Sequence, residues 1–158
     1  MKLLFFGLLF MVSSTLCFGQ KNLVSYDDIK YLLHINLIKA DTFLTAKGYY
    51  VSKKDNNSKN RKYTLAMPGG KYNNINLRSD GKKIYIEIET NEINQYNLIR
   101  ESVSQYLVKD GVVADIQTYA VKDLGNIYIE INDSVPYNPL TKEYSIHIVP
   151  DKNTTADY

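Results

Sequence analysis

The sequence predicts an α+β fold, with helices packed on one face of an antiparallel sheet and the chain read as two related α-β-β-β halves. Three observations predict it. Short segments with apolar residues at every second position follow one another with turn residues between them, which favours hairpins over crossovers. Helical spacing precedes each run of strands, at Ile29-Leu32-Leu33 and at Tyr96-Ile99-Val103. The string Ile84-Tyr85-Ile86-Glu87-Ile88 recurs as Ile127-Tyr128-Ile129-Glu130-Ile131, each copy after a glycine-containing turn. The recurrence fits a duplication, and it also fits two unrelated strands that alternate isoleucine with polar residues.

Residues 1–19 read as a secretory signal peptide. Lys2 supplies the basic start, Leu3 to Val12 an apolar run interrupted only by Gly7, and Cys17-Phe18-Gly19 the small residues of a cleavage site. Cleavage after Gly19 makes Gln20 the new N-terminus. The address is the periplasm or the cell exterior of a bacterium. Lipid anchoring through Cys17 is the alternative, although Leu16 directly before it departs from the small residue that lipidation prefers. About 139 residues then remain, enough for one domain with a proper core. They divide into a domain over 20–150, with halves 25–90 and 91–150, and a flexible tail over 151–158.

Within the domain, Ser25 with Asp28 three residues on is a variant capping box that opens the first helix. A second, short helix starts near Leu37 and buries Leu37, Ala40 and Leu44, and Lys47-Gly48 closes it. Strands are expected over 49–53, 62–67, 72–78 and 83–89. Between them fall a polar loop at 55–60, a break at Pro68-Gly69-Gly70 and a hairpin turn at Ser79-Asp80-Gly81. A helix over 92–109 presents Tyr96, Ile99, Val103, Tyr106 and Leu107 on one face and ends at Asp110-Gly111. Strands over 112–121, 127–131 and 142–149 follow, joined by a turn at 123–126 and a loop at 133–139.

This order, together with the turn Lys47-Gly48-Tyr49-Tyr50, resembles small secreted bacterial envelope proteins built from tandem helix-plus-sheet halves, with the shape of the β-lactamase inhibitor protein. The resemblance implies the architecture and an interaction role. It carries no known active site, so no functional residue is transferred from it.

Composition narrows the chemistry. After the leader the chain has no Cys, no Trp and a single Phe, Phe43, so neither a disulfide scaffold nor a thiolate metal site is expected. His34 and His147 stand far apart and neither has a second ligand at helical or hairpin spacing. Pro68-Gly69-Gly70-Lys71 lacks the spaced first glycine of a phosphate-binding loop. No cofactor, metal or catalytic residue is predicted. A small hydrolase using Glu87, Glu89, Glu130 or His147 is the minor alternative, since two carboxylates two apart on a strand share a face.

Charge is unevenly spread. Residues 47–83 hold ten basic and two acidic side chains, whereas residues 84–158 hold five basic and twelve acidic ones. The basic segment contributes Lys53, Lys54, Lys59, Arg61, Lys62, Lys71, Arg78, Lys82 and Lys83. It would attract an anionic partner, unless the two halves neutralise each other across neighbouring strands. Tyr85, Glu87, Tyr128, Glu130 and His147 are out of phase with the isoleucines of their strands, as is Lys62 with Tyr63 and Leu65, so all should lie on the solvated face. Tyr49, Tyr50, Tyr96 and Tyr106 are expected in or beside the core. The predicted function is non-catalytic binding through the exposed sheet face. The partner is a protein, or secondarily a glycan or anionic envelope surface reached through segment 47–83. Nucleic acid is not expected.

Overall fold

Ser25 starts the first helix as expected. Its hydroxyl accepts from the Asp28 backbone N–H, and the Asp28 carboxylate accepts in turn from the Ser25 N–H at 2.7 Å, which satisfies two of the amides a helix start leaves unpaired. In the computed structural model of the chain, residues 22–55, 59–108, 116–122, 124–132 and 142–156 are described. Helix α1 (Tyr26–His34) buries Ile29, Leu32 and Leu33, and α2 (Leu37–Ala46) buries Leu37, Ala40 and Leu44. The cap of α2 is Asn36, whose side chain accepts from the N–H groups of Ile38 and Lys39. Gly48, at φ 90°, turns the chain out of α2 into the sheet.

Seven strands follow among the described residues: β1 (Tyr50–Lys54), β2 (Asn60–Met67), β3 (Lys71–Ser79), β4 (Ile84–Thr90), β5 (Ile116–Val121), β6 (Gly125–Asn132) and β7 (Glu143–Pro150). Helix α3 (Ile93–Val103) lies between β4 and β5 in sequence. All seven strands form one antiparallel sheet in the order β1-β2-β3-β4-β7-β6-β5. The last strand therefore returns to the centre and joins the two runs of hairpins at a β4–β7 seam. The fold class is α+β. Among the described residues, no helix is long and apolar enough to cross a membrane.

Alternation decides which face the helices cover. One cross-strand row reads Tyr63, Ile75, Ile88, Ile146, Ile129, and the next reads Leu77, Ile86, Ile148, Ile127, Tyr119. All ten are buried, in one cluster with the inward residues of α1, α2 and α3. At about 25 cal/mol for each Å² of apolar surface removed from water, these two rows and the helix stripes above them dominate the stability.

Several details depart from the sequence reading. Helix α3 stops at Val103, and a single 3-10 turn (Ser104–Tyr106) follows. Leu107 is therefore 45% exposed, bridging Tyr119, and does not join the buried stripe. Tyr50 is 57% exposed because β1 is an edge strand whose five residues all remain exposed. Residues 151–156, expected to fray, return to the domain: Asp151 N–H donates to Leu124 O at 3.0 Å and Ala156 N–H to Lys82 O at 2.9 Å. The expected helix end at Asp110-Gly111 and the loop at 133–139 lie outside the described residues.

A polar clamp crosses the core between the start of α1 and α3. The side chain of Gln95, fully buried, accepts from Val24 N–H at 2.8 Å and donates to Val24 O at 2.7 Å. Asn73, also fully buried, donates to the Gln95 side-chain oxygen at 2.7 Å and to Tyr49 Oη. Burial pushes the Tyr49 phenol well above its usual range. The clamp ties the first residues of the domain to β3 and α3.

Candidate functional site: the open face of the sheet

The face opposite the helices carries the alternate residues of every strand. One row of register partners runs through all seven: Lys53, Lys62, Asn76, Glu87, His147, Tyr128, Thr118. The adjacent row reads Thr64, Asn74, Glu89, Ser145, Glu130 from β2 to β6. None of these residues is buried. Strict alternation in β4, β6 and β7 forces this outcome, because burying the isoleucines turns their neighbours outward.

Local bonds hold the face in place. Glu87 accepts from Asn76 Nδ2 at 2.8 Å, and His147 Nδ1 stands 3.6 Å from its Oε1. Lys62 Nζ reaches Glu89 Oε2 at 3.3 Å, diagonally across β3. Thr64 donates to Asn74 Oδ1 at 2.9 Å. Tyr85 is fixed from two sides: the Arg78 guanidinium lies 4.8 Å above its ring, and its hydroxyl donates to Asp80 at 3.2 Å. Backbone N–H groups of Lys82 and Lys83 point at the Asp80 carboxylate and hold it below the usual carboxylate range. Tyr72, whose phenol burial raises above its normal range, donates to Glu143 at 2.9 Å.

Two depressions meet on this face. One, of about 420 Å³, is lined by Lys53, Asn60, Lys62, Asn76, Arg78 and Glu87 among others. The other, of about 300 Å³, is lined by Asn76, Arg78, Tyr85, Glu87 and His147 among others. Asn76, Arg78 and Glu87 belong to both, so they form the ridge between them. A larger groove of about 570 Å³ lies elsewhere, between the start of α1 and α3, and holds the Lys47–Asp28 ion pair at 2.8 Å.

The fold thus brings Lys53, Lys62, Arg78, Tyr85, Glu87, Tyr128, Glu130 and His147 together on one face. It leaves three of the sequence candidates elsewhere. Arg61 is 4% exposed and points to the helix side, in phase with Tyr63; its Nε is 3.5 Å from Asp41 of α2, which also accepts from Tyr63 Oη. Lys54 is the register partner of Arg61 and lies on that same side, exposed at the sheet edge. Lys83 sits at the end of the sheet, where its ammonium donates to Asp151 O at 2.8 Å.

Charge follows strand order. β1, β2 and β3 each carry two cationic side chains and no carboxylate. β4 carries two carboxylates, β7 and β6 one each, and β5 none, with no Lys or Arg on any of the four. The two signs therefore stay segregated to opposite sides of the β3–β4 boundary, bridged there by Lys62–Glu89. The face offers hydrogen-bonding and charged groups of both signs and a clamped aromatic ring. Among the described residues, no group of three or more His, Asp and Glu side chains is placed to hold a metal ion.

No protein-family model, curated protein or solved structure matches the chain.

Proposed function

We propose that the protein acts after export as a non-catalytic binding protein that takes a protein partner on the open face of its sheet. The observation that carries this reading is the continuous row from Lys53 through Lys62, Asn76, Glu87, His147 and Tyr128 to Thr118. A seven-strand face that no helix covers among the described residues is a rigid platform, and rigid strands lose little entropy on association. Tyr85 and Tyr128 supply large ring area with few rotamers, the side-chain type favoured where proteins meet. The paired polar groups around them fix orientation and discriminate partners more than they add affinity.

The test is capture from envelope extract by the purified protein, compared with a Tyr85→Ala, Tyr128→Ala variant whose thermal transition shows it folded. Capture of a defined protein by the wild type and its loss from the variant supports the reading. Equal capture by both removes the face from the function.

A second reading has its own observation. Lys53, Lys62 and Arg78, one cation from each of β1, β2 and β3, line one depression on the open face, which suits a polyanionic glycan or anionic envelope surface. Binding of that kind falls steeply between low and physiological salt, whereas binding through the tyrosines changes little.

A further inference from the structure

The two edges of the sheet differ, and the difference points to a second binding surface. On the outer side of β5, Leu107 forms a bridge with Tyr119, and Val108 N–H donates to Thr118 O at 2.9 Å, so that edge is covered at Thr118 and Tyr119. On the outer side of β1 no strand is paired among the described residues, and all five β1 side chains are exposed. An open strand edge presents a row of unpaired N–H and C=O groups, which is a template for another strand.

The side chains of β1 specify which strand. A register shift at Ser52 divides the edge in two. Before it stand Tyr50, 57% exposed, and Val51, 40% exposed. After it stand Lys53 and Lys54, which project to opposite faces of the sheet, so an added strand meets an ammonium on either side. Neither β1 nor β2 carries a carboxylate. A second copy of this chain is a poor occupant. Antiparallel pairing of two β1 strands about Ser52 would gather four ammonium groups along one seam against only the two Asp55 carboxylates at its ends, and edge lysines are a recognised defence against that pairing.

We propose that the β1 edge accepts, by strand addition, an extended acidic protein segment, with two acidic residues beside Lys53 and Lys54 and two apolar or aromatic residues beside Tyr50 and Val51. Main-chain hydrogen bonds supply the affinity and the side chains the selectivity. This surface adjoins the open face and shares Lys53 with it, but it binds through the main-chain edge of β1.

The test uses the purified protein and a capped peptide, Thr-Glu-Glu-Thr-Val-Tyr-Thr, followed by fluorescence anisotropy and by amide hydrogen exchange. The acidic peptide is expected to bind and to slow exchange of β1 amides. A peptide with Lys in place of Glu, and an acidic peptide N-methylated at alternate residues, should each bind at least about tenfold more weakly, the first for charge and the second for lost main-chain bonds. A Lys53→Glu, Lys54→Glu variant, altered only at exposed positions, should reverse the preference between the Glu and Lys peptides. The Tyr85→Ala, Tyr128→Ala variant should bind the acidic peptide as the wild type does, whatever becomes of the open-face reading. The proposal is overturned if the acidic peptide does not bind, if the N-methylated peptide binds equally well, or if the tyrosine variant loses it. Self-association of the protein that disappears on Val51→Pro would also overturn it, by making a second copy the occupant.

Discussion

Glu87 and His147 are register partners across the β4–β7 seam, with His147 Nδ1 3.6 Å from Glu87 Oε1 and Asn76 holding the same carboxylate from the other side. Both side chains keep more than a third of their surface in water, at 36% and 43%. Exposed pairs of this kind contribute about 0–1 kcal/mol. The pair therefore does little for stability, and its place in the middle of the seven-strand row makes it a probe of binding. Glu87→Ala, His147→Ala and the double variant should each unfold within about 1 kcal/mol of the wild type, a shift of only a few degrees in Tm. All three should weaken capture of the partner. A marked loss of stability in any of them would make the pair structural.

The Gln95 clamp should behave in the opposite way. Gln95→Ala leaves the Val24 N–H and the Val24 carbonyl without their partners and takes one of two acceptors from the Asn73 amide, all in a fully buried place. Buried groups left unpaired cost about 1–3 kcal/mol each, partly relieved by relaxation, so a loss of about 3 kcal/mol is expected. Gln95→Glu keeps the acceptor and removes the donor, and should also destabilise. Chemical denaturation measures the loss, and exchange of the Val24 amide reports whether the start of the domain detaches first.

Much of this architecture was legible in the sequence, and the failures have physical reasons. The Ser25–Asp28 capping box and the alternation in 84–88 each mapped directly onto structure, because cap chemistry and period two are local rules. Arg61 is a surface residue by type, yet it shares phase with Tyr63 and Leu65, and phase wins because Asp41 meets it. Gln95 falls four and eight residues before Ile99 and Val103, so it lies on the buried stripe; its polar side chain concealed that. Strand order was the part no local signal held. Nothing in residues 142–149 says that the last strand enters between β4 and β6, and it is this insertion that sets His147 beside both Glu87 and Tyr128.

Asp41 answers two buried groups, accepting from Tyr63 Oη at 2.6 Å and facing Arg61 Nε at 3.5 Å. Burial, followed by the Asp41 contact, keeps the Tyr63 phenol protonated far above its ordinary range. Asp41→Ala should cost about 2–3 kcal/mol, less than a fully buried pair would, because 27% of the Asp41 side chain remains in water and solvent can reach the gap. Asp41→Asn, which still accepts from Tyr63, should recover part of that loss. Equal stability of the Ala variant and the wild type would mean that Arg61 is content without its partner.

Acid should weaken the junction between β4 and α3. Burial alone would raise the Glu92 carboxyl, but the Lys71 ammonium at 2.7 Å and the Asn94 N–H outweigh it and hold the group below its ordinary 4.5. A depressed folded-state pKa means that the stabilisation is complete above the unfolded value and is lost as pH falls through the folded one. Stability should thus decline below pH 4.5, and Glu92→Gln should show a shallower decline. Thermal unfolding of both proteins across that range tests this; parallel curves would remove Glu92 from the acid response.

Gly125 and Gly81 separate two reasons for glycine. Gly81 lies at φ 96° with open space where a Cβ would go, so Gly81→Ala meets only the backbone penalty, about 1 kcal/mol. Gly125 lies at φ 130°, and a Cβ there would run into the Val149 carbonyl and come within 2.7 Å of Asp151 N. Those atoms are backbone of β7 and of the segment that docks the C-terminal residues, so they cannot step aside without breaking the β6–β7 ladder, in which Gly125 pairs with Pro150. Gly125→Ala should therefore cost about 3 kcal/mol or more, the sum of backbone strain and lost pairing. It should also raise hydrogen exchange at Asp151 and Ala156, whose amides are bonded to Leu124 and Lys82. If the two glycine variants lose equal stability, the close approach at Gly125 is relieved by a small shift and the C-terminal segment is docked independently of it.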